Sequence, residues 1–194
     1  EYYDRTIEID PKFVEVHNNR GNTLRELGEI DAAIKSFRRS TELKPDYAEA
    51  HYNLGLAYQQ REDHKNAIIS YNQAIELKPV YVDPHFNLAI VYQKLESTAQ
   101  SVQCYLKVIE LNPGHVGAHI NLGIEYKKQD KYAQALKHLH EATKLAPDNS
   151  EAFYNLANTQ LQKGDVTLAR KNYLKALGKN PDHTRAWNNL GTLY

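Results

Sequence analysis

The chain has 194 residues, 41% of them hydrophobic and 25% charged, and its 24 Lys and Arg balance 24 Asp and Glu to a formal charge of zero. That composition is ordinary for a soluble chain; no apolar run is long enough to span a bilayer, and the neutral balance argues against a nucleic-acid partner, which needs a broad positive field. The single Cys excludes an internal disulfide framework. The chain begins with Glu and contains no Met, so a piece of a longer protein is expected, as is an intracellular, cytoplasmic setting.

In chain order, one octapeptide returns every 34 residues: HNNRGNTL from His17, HYNLGLAY from His51, HFNLAIVY from His85, HINLGIEY from His119, FYNLANTQ from Phe153 and WNNLGTLY from Trp187. Self-similarity at this period marks a stacked repeat array, in which each unit buries its apolar face against its neighbours. Residues 1–13 are the end of one unit, five full units follow (14–47, 48–81, 82–115, 116–149 and 150–183), and 184–194 begin another; the whole is expected to be a single array. Each unit has large or apolar residues at helical spacing in both halves, for example His51, Leu54, Tyr58 and then Ala67, Tyr71, Ala74, Leu77, which predicts two amphipathic helices.

A Pro closes every unit, at Pro11, Pro45, Pro79, Pro113, Pro147 and Pro181, where its fixed φ and missing N–H stop a helix. Asp46 and Asp148 come next, each with a Glu three places on (Glu49, Glu151), an acidic form of the capping box, and are expected to start the following helix. Gly28 and Gly164 fall between the two helices of their units, where a left-handed turn costs Gly least. Glu62, Glu96 and Asp130 hold that place in the other units, so those turns are expected to close differently.

Counting from Val14 as place 1, His51, Leu54, Gly55, Tyr58, Ala67, Tyr71, Ala74 and Pro79 occupy places 4, 7, 8, 11, 20, 24, 27 and 32. This pattern resembles the tetratricopeptide repeat family along the whole chain. The resemblance implies an all-α solenoid, a right-handed superhelix of antiparallel helix pairs whose first helices line a concave groove. Arg20, Ser101, Leu139 and Gln160 depart from the pattern, and packing is expected to be loosest at Arg20 and Gln160.

If that geometry holds, places 2, 5, 6, 9, 12 and 13 face the groove, and place 6 is Asn throughout: Asn19, Asn53, Asn87, Asn121, Asn155 and Asn189. An amide offers both an acceptor and donors, so such a row can hold an extended peptide by its main chain; helices packed about 8–10 Å apart match roughly three residues of extended strand. The same Asn can equally bond a neighbouring helix, so both readings stand. The row resembles that of the repeat arm of protein O-GlcNAc transferase, which implies a substrate-recruiting arm of a larger enzyme as an alternative; a self-assembling array is another. Side-chain selection is expected from an apolar strip, Tyr52, Leu56, Phe86, Ile90, Ile120, Ile124 and Tyr154. Lys94, Lys127 and Lys128 add positive charge, either as a solvated face or as an attraction for acidic groups.

The expected partner is therefore a protein or peptide segment in extended conformation. The family's clamp for acidic chaperone tails is rejected, because Asn18, Asp83 and Asn87 stand where it requires cations. The His row at place 4 is expected to pack rather than bind metal, since zinc needs ligands converging within about 2.0–2.3 Å. No nucleophile has a base at motif spacing, Cys104 is expected to be inert, and neither cofactor nor enzymatic activity is expected.

Overall fold

The computed structural model describes residues 2–193, and these form twelve α-helices with no strand among them. In order they are α1 (Tyr2–Ile9), α2 (Val14–Glu26), α3 (Ile30–Leu43), α4 (Ala48–Gln60), α5 (His64–Leu77), α6 (Val82–Lys94), α7 (Thr98–Leu111), α8 (Val116–Lys128), α9 (Tyr132–Leu145), α10 (Ser150–Gln162), α11 (Val166–Lys179) and α12 (Thr184–Gly191). The chain divides into two compact units, 1–104 and 105–194. In the first, α2 pairs with α3 and α4 with α5, and α6 lies on α5; in the second, α8 pairs with α9 and α10 with α11, and α12 lies on α11.

Each hairpin closes on place 8. A Cβ added to Gly21 would stand 2.6 Å from the Phe37 ring, one on Gly55 2.5 Å from Tyr71, and one on Gly123 2.6 Å from Leu139. All lie inside van der Waals contact, so a bare Cα lets the place-24 side chain cross the first helix. Around that crossing Phe37, Tyr71, Leu139 and Tyr173 are fully buried, together with Ala33, Ala67, Ala135 and Ala169 at place 20. Ser101 takes the Ala position and buries a hydroxyl that has no partner among the described residues.

The His row does more than pack. Nε2 of His17, His51, His85 and His119 lies 3.0, 2.9, 3.1 and 3.0 Å from the carbonyl oxygen of Pro11, Pro45, Pro79 and Pro113. A carbonyl only accepts, so each Nε2 carries the proton and fastens the first helix to the preceding inter-repeat turn. Trp187 does the same, its indole N–H donating to the Pro181 carbonyl at 2.8 Å. Phe153 has no donor for this bond and carries Lys175 over its ring instead.

Three expectations need correction. The helix caps stand one residue later than the capping-box pattern suggested, because the turn after Pro takes in the Asp. Tyr47 is the N-cap of α4 and makes no side-chain cap bond, while Asn149 caps α10 by accepting from the Ala152 N–H at 2.9 Å. Asp148 pairs with Lys179. His115 and His183 cap α8 and α12 in the same way through Nδ1.

Secondly, the turns at Glu62, Glu96 and Asp130 do not close differently. Their φ angles of 62°, 55° and 57° lie in the same left-handed region as Gly28 (81°) and Gly164 (95°). The compensation is a complete Schellman bond pair: Asp63 N–H reaches the Tyr58 carbonyl at 2.9 Å and Glu62 N–H the Gln59 carbonyl at 3.0 Å. Thirdly, the polar departures are satisfied rather than loose. Arg20 donates to Ser36 Oγ at 2.9 Å, and the buried Gln160 accepts from Asn172 at 2.8 Å.

His138, half-buried, stands against His119. His138 Nδ1 lies 3.2 Å from His119 Nδ1, and its ring stacks on Tyr126. Since His119 Nε2 holds the proton for Pro113, His119 Nδ1 accepts and His138 Nδ1 donates. Burial, with His119 and Lys137 adding to it, pushes His138 down from 6.5 to about 4.

Two predictions follow from these elements. Glu62→Gly and Asp130→Gly each relieve a left-handed side chain and are expected to stabilise the fold by about 1 kcal/mol, measured as a raised Tm. For His138 the unfolded chain binds the proton more readily, so its contribution is present above about pH 6.5 and is lost as pH falls towards about 4. Thermal melts across that window are expected to show a falling Tm, and His138→Gln, which still donates to His119 but does not titrate, is expected to flatten the slope.

Candidate functional site

The first helices of neighbouring repeats touch, α2 with α4 and α4 with α6 in the first unit, and α8 with α10 in the second. Place 6 therefore meets side chains of the repeat before it. Asn53 Nδ2 donates to Asn18 Oδ1 at 3.0 Å, and Asn87 Nδ2 to the Tyr52 hydroxyl at 3.1 Å, both partners standing at place 5 of the preceding repeat. Asn121 Nδ2 donates to Tyr105 Oη at 3.0 Å, and Asn189 Nδ2 to Asn158 Oδ1 at 2.8 Å and Tyr173 Oη at 3.3 Å. Asn155 turns back along its own helix to the carbonyl and carboxylate of Glu151. The amide nitrogens are thus held internally, which corrects the picture of an amide with both sides free for a ligand.

Exposure divides the row. Asn19 is exposed and Asn87, Asn121 and Asn189 are half-buried, whereas Asn53 at 7% and Asn155 at 5% are closed off. In the apolar strip, Ile120 and Tyr154 are buried, whereas Tyr52, Leu56, Phe86, Ile90 and Ile124 are partly accessible. Tyr154 is covered by Tyr173, by His183 and by the Arg185 guanidinium, which also binds Glu151 at 3.0 Å.

Sequence reasoning missed the place-24 phenols. Tyr71 and Tyr173 have their rings in the hairpin core, but their hydroxyls cross to the first-helix face, where Tyr71 donates to Gln59 Oε1 at 2.6 Å and Tyr173 to Asn158 Oδ1 at 2.5 Å; the buried Tyr105 likewise presents its hydroxyl to Asn121. The signal was available: a buried Tyr, unlike the Phe37 or Leu139 at the same place, requires a polar partner. Burial raises the Tyr71 and Tyr173 phenols above their ordinary value, and burial followed by Asp83 does the same for Tyr52.

The cations differ from one another. Lys128 pairs at 2.7 Å with Glu125, a carboxylate only 1% exposed. Lys127 is half-buried, its ammonium pulled down by burial and then by Lys128. Lys94 is exposed beside a cleft of about 340 Å³ that Arg25, Leu56, Gln59, Gln60 and Glu62 also line. Burial pushes the Cys104 thiol up to about 11, which keeps it protonated and unreactive at neutral pH. Among the described residues no three His, Cys, Asp or Glu converge on a metal-sized point, and no helix is long and apolar enough to cross a membrane.

Tetratricopeptide repeat models match residues 2–35, 48–81, 82–115, 120–183 and 154–194, and a further TPR repeat model matches 21–61. The chain belongs to the tetratricopeptide repeat family. Its fold class is accordingly the all-α tetratricopeptide solenoid, and each matched segment contains a Gly or Ala at place 8 and a Pro that closes a repeat. Among solved structures it is similar to YrrB, described as a tetratricopeptide protein with an unusual peptide-binding site, at 25% identity over 97% of both chains with a TM-score of 0.81. MamA from Desulfovibrio magneticus RS-1 superposes with a TM-score of 0.81 at 16% identity, over 88% of this chain and 96% of that one. PilF of Pseudomonas aeruginosa gives 0.78 at 19% identity, over 89% and 79%. The last two likenesses concern the tetratricopeptide fold alone. No curated protein sequence matches the chain.

Proposed function

We propose that this chain is a protein-interaction scaffold whose units each hold extended segments of a partner protein against their first helices, chiefly through the amide oxygen of Asn87 in the first unit and of Asn121 in the second. The observation that supports this most is the tethering of both Nδ2 groups to Tyr hydroxyls, at 3.1 and 3.0 Å. Each amide is thereby oriented in advance, and its Oδ1 accepts no bond from the described residues. An acceptor fixed before binding loses little rotamer freedom when a peptide N–H arrives. Asn19 and Asn189 are accessible enough to extend the row in their units, while Asn53 and Asn155 contribute by holding neighbouring groups. The likeness to YrrB, whose description includes peptide binding, points the same way.

Lys127 and Lys128 then sit at the edge of this face rather than at its centre, because Lys128 is already matched by Glu125. Selection among peptides falls to the accessible edges of Tyr52, Leu56, Phe86, Ile90 and Ile124, with Ile120 and Tyr154 acting as the packed layer beneath.

Replacing Asn87 and Asn121 together by Ala is expected to weaken a peptide selected on an array by about 1 kcal/mol for the acceptor it loses, roughly fivefold, read by fluorescence anisotropy with helicity unchanged. Unaltered affinity in a folded double variant overturns the proposal.

A further inference from the structure

The cleft beside Lys94 draws on three successive repeats of the first unit: Arg25 ends α2, Leu56, Gln59 and Gln60 come from α4, Glu62 from the turn after it, and Lys94 from the end of α6. Some cations of this chain have a carboxylate beside them. Arg61 binds Asp31 and Asp63, Arg39 binds Glu42, and Lys107 binds Glu110. Arg25 and Lys94 have no such partner among the described residues, and the Arg25 Nε–H is buried without an acceptor. Leaving that N–H unmatched costs its desolvation, a cost that is removed when the Arg25 side chain, which lines the cleft, shifts to meet an acceptor there.

The surroundings supply donors and little else. Gln59 spends its Oε1 on the Tyr71 hydroxyl at 2.6 Å, which leaves its amide N–H groups for the cleft. Arg25 lies close enough to the Tyr52 and Tyr71 phenols for its charge to act on both, which places it next to the Tyr52–Asn87 pair. Leu56 offers an apolar wall for methylene groups. Glu62 is the one carboxylate on the cleft and is exposed. Two cations against one carboxylate leave a single net positive charge, which suits a carboxylate of charge −1 better than a phosphate, which carries about −1.5 to −2 at neutral pH.

We infer that Arg25 and Lys94 form a subsite for one acidic side chain, aspartate or glutamate, of the extended segment held by Asn87; the inference rests on the peptide-binding reading above. Arg25 takes the carboxylate through its planar fork, Lys94 closes it from two repeats on, and Gln59 donates from the repeat between them. The places involved, 12 and 13, are not those of the acidic-tail clamp, whose cationic positions here hold Asn18, Asp83 and Asn87. In the other unit one of the two place-12 residues is again a cation, the half-buried Lys127, also without a carboxylate partner among the described residues, while the other is Leu161.

The Arg25 Nε–H can be followed by NMR in the intact chain, its resonance assigned by its loss in Arg25→Gln. Titration with N-acetyl-glutamate N-methylamide is expected to shift it saturably, the glutamine analogue to leave it in place, and Lys94→Gln to weaken the response several-fold. In parallel, twelve-residue peptides from a random library are selected on the chain. Selected peptides are expected to carry Glu or Asp at one position, to lose about tenfold in affinity when that residue becomes Gln or Asn, and to show no such loss against the Arg25→Gln/Lys94→Gln variant. Equal responses to the glutamate and glutamine probes, an acidic preference that survives in the double variant, or tighter binding of N-acetyl-O-phosphoserine N-methylamide, titrated in the same way, than of the glutamate probe each overturns the subsite. A glutamate response at Nε–H with no peptide selected upholds the subsite and overturns the extended-segment reading instead.

Discussion

The close crossing of first and second helix at place 8 is the constraint on which the rest depends. With no Cβ at Gly21, Gly55 or Gly123, the place-24 side chain lies directly on the first helix's backbone. That contact sets the hairpin, and it also sets the reach of the tyrosines. A Tyr whose ring is spent in the core projects its hydroxyl to the far side, where Tyr71 meets Gln59, Tyr105 meets Asn121, and Tyr173 meets Asn158 and Asn189. Packing and the polar face are therefore one arrangement: a change at place 24 alters the fold contact and the orientation of an amide together.

A second set of bonds fixes each first helix to the turn before it. The His and Trp side chains of place 4 hold the Pro carbonyl, while Asn149, His115 and His183 cap the helix that begins there. The Schellman bonds hold the other end. With both ends fixed, the Asn amides vary little in position relative to one another within a unit, which is the condition for recognising a chain of regular repeat. Where charge enters, it enters unevenly. Glu151 and Arg185 neutralise one another beside Tyr154, Lys128 is matched by Glu125, and Arg25 with Lys94 is left unmatched.

Much of the fold was legible in the chain itself. A 34-residue period, a Pro at place 32 and Gly or Ala at place 8 each state a local requirement, so helix number, turn positions and the identity of the hairpin core could be read directly. The left-handed turns at Glu62, Glu96 and Asp130 were not legible, because two Schellman bonds outweigh a preference of about 1–2 kcal/mol. The candidate site was legible in position but not in state. Asn at place 6 was visible six times, yet whether its nitrogen faces a ligand or Tyr52 depends on a residue 35 positions earlier, and no periodicity reports on that.

By itself, then, the sequence determined the repeat, its two helices and which faces carry aromatic, amide or charged groups, because these follow from backbone dihedrals and side-chain periods that act within a few residues. Only the tertiary structure decided which of those groups remain available. Asn53 and Asn155 are closed and Asn87 and Asn121 are tethered, Ile120 and Tyr154 are buried, and Arg25 keeps an N–H without an acceptor. The physical reason is that availability is set by what the neighbouring helix brings within about 3 Å, the reach of a hydrogen bond, and that neighbour stands a whole repeat away along the chain.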